Sequence, residues 1–420
     1  MKCKKYSMDG YDLYTIETDR FKTVEMKMNI RIDDSKKIDK YASMLWRMLV
    51  STSYKYDSIK EINEACAEIY DPSFTIRAIG SGSQVVFSLS ASFVNEKYTE
   101  EGMHEANIKF LSEFLFKPRI IDGAFDEEIF NIKKKKLIDY YSSMKDYPRE
   151  YADHRLEEEM ITLGYKVSSI DELIKMAEEL SPKDLYDFYK NLMKNGKLDI
   201  FICGNFSSKE MKKIFAKNIK FNGRVDDDID HRVFQKKYNI KPNIVIEDAP
   251  NVQSNLIVGC KCLDITEFER NYVFILYSWI LGGGANCLLN QSVRENNSLC
   301  YYIYAVRKAL TGVMKIYAGI NGEDFDKTYE LIQKEMKNME LGKFSLELFE
   351  GVKKIYYSSL ISVMDYQDDM VDSYIYQIYN NGDDLEKRKK MMEKVTREDV
   401  INFAKKVHID TVYLLRGDAK

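Results

Sequence analysis

The order of hydrophobic periods runs twice along this chain, and that repeat limits the fold more than any other feature. In the first half, residues 22–32 alternate, with Val24, Met26, Met28, Ile30 and Ile32 on one side, as a strand with one buried face does. Helical patterns follow at 38–49 (Tyr41, Leu45, Met48, Leu49) and 56–69, then strands at 73–78 and 85–93 joined by Gly80-Ser81-Gly82-Ser83. Helices are predicted at 100–115, 126–143, 147–161 and 181–194, and a strand at 198–203. The second half repeats the scheme: strands at 243–247 and 254–262, a helix at 266–281, strands at 301–306 and 313–319, five helices, and a last strand at 411–415. Strands grouped apart from helices mean α+β. The expectation is two similar domains, 1–216 and 240–420, each a mostly antiparallel sheet with helices packed on one face. Residues 217–239, polar and including Asp226-Asp227-Asp228, read as the linker.

Bulk composition excludes several classes. Lys plus Arg number 63 against 67 for Asp plus Glu, a net charge of −4, so no electrostatic footprint for nucleic acid is present. The longest apolar run, Val273–Leu281, is half a membrane span, and the N-terminus has no apolar signal-peptide core. Seven scattered cysteines fit a reducing cytoplasm. Cys260 and Cys262 read as small apolar groups on one strand face.

The chemistry-bearing stretch is Leu281–Tyr304, LGGGANCLLNQSVRENNSLCYYIY. Gly282, Gly283 and Gly284 follow a buried-type helix and precede a short helix and an aromatic strand. Glycine lets backbone approach closely or take positive φ. Arg294 offers five N–H donors and Tyr301 one O–H donor, enough to hold a carbonyl oxygen or an oxyanion developing on it.

This segment resembles the C-terminal-domain signature of the pitrilysin/insulinase family of zinc peptidases: Leu-Gly-Gly-Gly, a small polar stretch, then Val-Arg-Glu, two residues, Gly-Leu-Ala-Tyr. Arg294 and Tyr301 fall on that pattern's Arg and Tyr; Ser298 stands for its Gly and Cys300 for its Ala. The resemblance covers nearly the whole chain in element order and is nearest to the bacterial YmfF-like branch. It implies that Arg294, Tyr301 and Gly282–Gly284 bind substrate backbone.

The family's metal is held by His-x-x-Glu-His on the first helix of the N-terminal domain, with a distant Glu as third ligand. The two His face one way, and the Glu is the general base. On the matching stretch, Ala42–Val50, Ser43 and Arg47 stand for the histidines and Trp46 for the base. The third ligand falls near Tyr140. A permanent cation at Arg47 repels a metal ion, so no zinc and no other cofactor is expected in this chain. Of the four histidines, His154 reads as a surface residue, His231 as a solvated linker residue and His408 as the end of a helix.

Two accounts follow. In the first, the chain is the non-catalytic subunit of a cytoplasmic heterodimeric peptidase, without activity of its own. Zinc sits in a His-x-x-Glu-His partner, and the substrate is a peptide or leader peptide. In the second, it is a structural or peptide-binding paralogue. A thiol hydrolase built on Cys287 or Cys300 lacks a nearby base.

Overall fold

The computed structural model describes residues 3–33, 38–223, 231–249 and 253–417. The acidic run Asp226–Asp228 lies outside them. By internal contacts the chain divides into two units, and each draws on both halves of the sequence.

The first unit comprises Met1–Ser142, Ile170–His231 and Val363–Asn381. Its strands are β1 (Cys3–Ser7), β2 (Tyr11–Glu17), β3 (Thr23–Asp33), β4 (Ser73–Ser81), β5 (Gln84–Val94), the short β6 (Ile120–Ile121) and β7 (Ala124–Phe125), and β8 (Lys197–Gly204). The six long strands run β1-β2-β8-β3-β5-β4, with β2–β8 the one parallel pairing. The helices are α1 (Asp39–Leu49), α2 (Ile59–Ala67), α3 (Met103–Phe116) and α4 (Glu127–Ser142).

A second group of helices begins with α5 (Pro148–Glu159), which belongs to the other unit. Then come α6 (Ile170–Glu179), α7 (Pro182–Asn195) and α8 (Ser208–Asn218). Ser181 and Asp184 form a capping box at α7, which fixes its start.

The second unit comprises Ser143–Ser169, Arg232–Ser362 and Gly382–Lys420. Its strands are β9 (Asn243–Ala249), β10 (Ser254–Cys262), β11 (Cys300–Lys308), β12 (Val313–Ile320) and, last in the chain, β13 (Val407–Gly417). They run β11-β12-β10-β13-β9, antiparallel except for β13–β9. The helices are α9 (Phe274–Gly282), α10 (Phe325–Glu340), α11 (Leu346–Ser362), α12 (Gln367–Tyr379, part of the first unit), α13 (Leu385–Lys394) and α14 (Arg397–Ala404).

The main apolar core of the second unit joins β10, β12 and β13 to α9, α10, α11 and α14. Helix α5 covers the other face of that sheet. Lys315, whose side chain is 1% exposed, reaches Asp153 and Glu157 at 2.6 Å each, and the Tyr317 hydroxyl donates to Asp153 at 2.7 Å. Tyr151 and Tyr413 both donate to Glu247. With both faces covered, every residue of β10 is buried, and the alternation of a one-sided strand disappears.

In the first unit α12 plays the matching part. Met370, Val371 and Tyr379 pack on Tyr14, Ile16, Phe201 and Cys203. The Arg31–Asp199 ion pair is buried beneath Tyr379, whose ring lies 4.0 Å from the Arg31 guanidinium carbon. Sequence alone places one boundary at residues 217–239; the contacts add two exchanged helices, α5 and α12, to that picture.

Candidate functional site

The second unit presents Arg294 and Tyr301 on one continuous turn. Helix α9 ends at Gly282, where a Cβ would lie 2.6 Å from the Ala305 nitrogen and 2.7 Å from its Cβ. Only glycine lets the end of α9 close on β11 at that distance. The loop after it is pinned by Asn290 and Gln291, whose side-chain amides donate to the Ala285 carbonyl at 2.7 and 2.8 Å. A wide π-helical turn, Asn290–Glu295, buries Val293 and turns Arg294 outward. Single π turns of this kind recur at functional sites.

The Arg294 side chain is 52% exposed, and its one ion-pair neighbour among the described residues, Glu295, stands 3.8 Å away. The chain then wraps back. Ser298, at φ +54°, donates its N–H to the Arg294 carbonyl, and Leu299 donates to Val293. Ser298 thus holds the left-handed conformation that explains glycine at that place in the resembling pattern. A register shift between Cys300 and Tyr302 lifts Tyr301 out of the ladder, 67% exposed. Both donors therefore end in solvent within one helix-turn-strand unit. Burial pushes the Cys300 thiol up to about 11 despite nearby Arg294. That disfavours the thiolate a thiol hydrolase needs.

In the first unit, the residues at the metal-motif positions come together without forming a metal site. Ser43, Trp46 and Arg47 lie on α1, and Tyr140 on α4. The Arg47 guanidinium lies 4.3 Å from the Trp46 ring centre and 5.8 Å from that of Tyr140, and it donates to the Ser43 carbonyl. The adjacent Tyr141, buried, is hydrogen-bonded to Ser43. Burial lowers the Arg47 pKa. Lys133 is lowered too, first by burial and then by Lys136 and Arg47. A serine, an indole, a phenol and a stacked cation supply neither imidazole nor carboxylate, so these residues do not fit zinc.

The histidines depart from the sequence reading in three places. His231 is buried rather than solvated: its ring is hydrogen-bonded to Asn380 at 3.0 Å, and its carbonyl accepts from Ser83. His408 lies in β13 rather than at a helix end, stacked 4.0 Å from Tyr238, and burial lowers its pKa. His154 is on α5, but its side chain is only 22% exposed and touches the Ser168 carbonyl and Glu158.

Among the described residues, Glu96, His104 and Glu210 form one cluster of metal-ligand type. It reads as a helix start. The His104 N–H donates to the Glu96 carboxylate, and the Glu96 N–H donates to His104 Nε2. A neutral ring that accepts at Nε2 keeps its proton on Nδ1, which leaves no lone pair there for an ion.

A chain with two similar domains, a metal-motif helix without metal ligands and an intact Arg/Tyr segment is a metallopeptidase-like protein that lacks the catalytic motif. Comparison with known proteins agrees. The family model described as "Peptidase M16 inactive domain" matches residues 179–356. "Probable inactive metalloprotease YmfF" of Bacillus subtilis is 22% identical over 412 residues, 97% of this chain and 96% of that protein.

Two solved structures share the fold. One is a conserved protein from Enterococcus faecalis V583, with TM-score 0.88 and 21% identity over 100% of this chain and 99% of that one. The other is a peptidase M16 inactive domain from Pseudomonas fluorescens, with TM-score 0.80 and 16% identity over 100% and 99%. The chain is similar to inactive members of the M16 peptidase family. Among the described residues, no helix is long and apolar enough to cross a membrane.

Proposed function

We propose that this protein is the non-catalytic subunit of a heterodimeric zinc peptidase. Its partner is an M16 homologue that carries His-x-x-Glu-His and holds the metal. This chain supplies Arg294 and Tyr301, whose donors bind the main chain of a peptide and neutralise charge developing on its carbonyl oxygen. A pre-aimed donor of this kind contributes about 3–4 kcal/mol to lowering a barrier. The substrate class is a peptide, with leader-peptide processing in the cytoplasm as the specific form.

What supports the reading is one contrast. The metal-motif positions hold groups that cannot ligate zinc, while Arg294 and Tyr301 keep their polar ends in solvent with little to occupy them. Residues kept only for packing would be buried or paired. The test is reconstitution. The chain alone should cleave no peptide, the His-x-x-Glu-His homologue alone should be weak, and the mixture should co-elute and turn over. A purely structural or peptide-binding role predicts co-elution without any effect on turnover.

A further inference from the structure

We infer that the outer edge of the C-terminal sheet selects acidic side chains on an extended peptide, with Arg149, set beside the Tyr304 ring, as the reading group. The inference rests on the peptide-binding role proposed for Arg294 and Tyr301.

Among the described residues, strand β11 ends the sheet and has β12 as its one strand neighbour. An edge strand presents unpaired N–H and C=O groups, and an extended peptide can add to it as a further strand. Side chains on this strand form an aromatic step. Tyr304 stacks on Tyr317 with ring centres 5.1 Å apart, and Tyr302 lies 5.9 Å from Tyr304. Arg149, exposed at the start of α5, places its guanidinium 5.5 Å from the Tyr304 ring and 5.9 Å from that of Tyr317. A guanidinium can take a carboxylate by two N–H donors.

The charges around it are unevenly spent. Asp153 is engaged by Lys315 and Tyr317, and Glu157 by Lys315 and Lys308. Among the described residues Arg149 makes no ion pair, and Arg294 has only the distant Glu295. The Tyr302 hydroxyl is satisfied by Asn255, whereas the buried Tyr304 hydroxyl has no hydrogen-bond partner among the described residues. Arg149 therefore keeps a positive charge beside β11 that no carboxylate among the described residues neutralises. A peptide carrying Glu or Asp at alternate positions complements it.

The test is fluorescence anisotropy with the full-length protein. Two labelled ten-residue peptides are used, identical except for Glu or Lys at alternate positions. The Glu peptide should bind about tenfold tighter, the size of one charge-assisted contact. Arg149→Gln should remove that preference while thermal unfolding stays unchanged, because the side chain is exposed. Tyr301→Phe should weaken both peptides by the same factor. Equal binding of the two peptides, no binding of either, or a preference that survives Arg149→Gln overturns the inference. So does a dimer, seen by light scattering, that neither peptide dissociates, since a second copy would then occupy the edge. An Arg149 effect without a Tyr301 effect would sink the gripping role of Tyr301 and leave the selectivity standing.

Discussion

The guanidinium carbon of Arg47 lies over the indole of its neighbour Trp46, 4.3 Å from the ring centre. By the family resemblance the two residues stand at the positions of a zinc ligand and the general base, and here they set a cation over an aromatic face. Such a contact is worth about 0.5–1 kcal/mol at a partly exposed site. Excess zinc should therefore leave the thermal midpoint unchanged, and desalted protein should carry no stoichiometric ion by elemental analysis. Bound zinc in proportion to protein would contradict the reading of α1.

Gly282 is a packing residue. An added Cβ meets the backbone nitrogen of Ala305, which cannot move without lifting α9 from β11. Gly282→Ala should cost about 1–3 kcal/mol, as other overpacked contacts do. Urea unfolding measures it, and a loss below about 0.5 kcal/mol would show that the helix end gives way freely.

Ser298 carries a left-handed backbone at φ +54° that a side chain disfavours. Ser298→Gly should stabilise the fold by about 0.5–1 kcal/mol, less than the full left-handed cost because glycine loses more entropy on folding. An unchanged or lower denaturation midpoint would contradict this.

Much of the scaffold is legible in the sequence, because half-buried strands keep their alternation. The run 22–32 becomes β3 at Thr23–Asp33, and Arg294 and Tyr301 stand out by pattern. Other parts are silent for physical reasons. Strand β1 (CKKYS) is an exposed edge with no apolar period, so the sequence reading passes over it. The last strand is read at 411–415, whereas β13 begins at Val407, three residues after α14 ends: the Thr396–Asp399 capping box marks where that helix starts, but no signal marks where it stops. Arg149 meets Tyr304 only because α5 crosses to the sheet of the other half, a contact no local pattern encodes.

Glu25 gives the first unit a pH dependence. Burial, with further help from Asp368 and Asp372 and opposed by Lys27 and Ser92, raises its pKa from 4.5 to about 7. A carboxyl raised on folding favours the folded state when protonated. Its cost is absent below about pH 4.5 and grows as pH rises through about 7. Glu25→Gln should therefore stabilise the protein at pH 8 by about 1–2 kcal/mol, after allowing for solvent screening, and have no effect near pH 4.5. Equal gains at both pH values would rule out titration as the cause.

The central claim is that this chain grips a peptide that another chain cuts. It is tested most directly by kcat/KM of the reconstituted pair with Arg294→Ala and Tyr301→Phe. The account predicts a fall of about a hundredfold or more with the complex intact by light scattering. Unchanged turnover in an intact complex, or peptide cleavage by this chain alone, would contradict it.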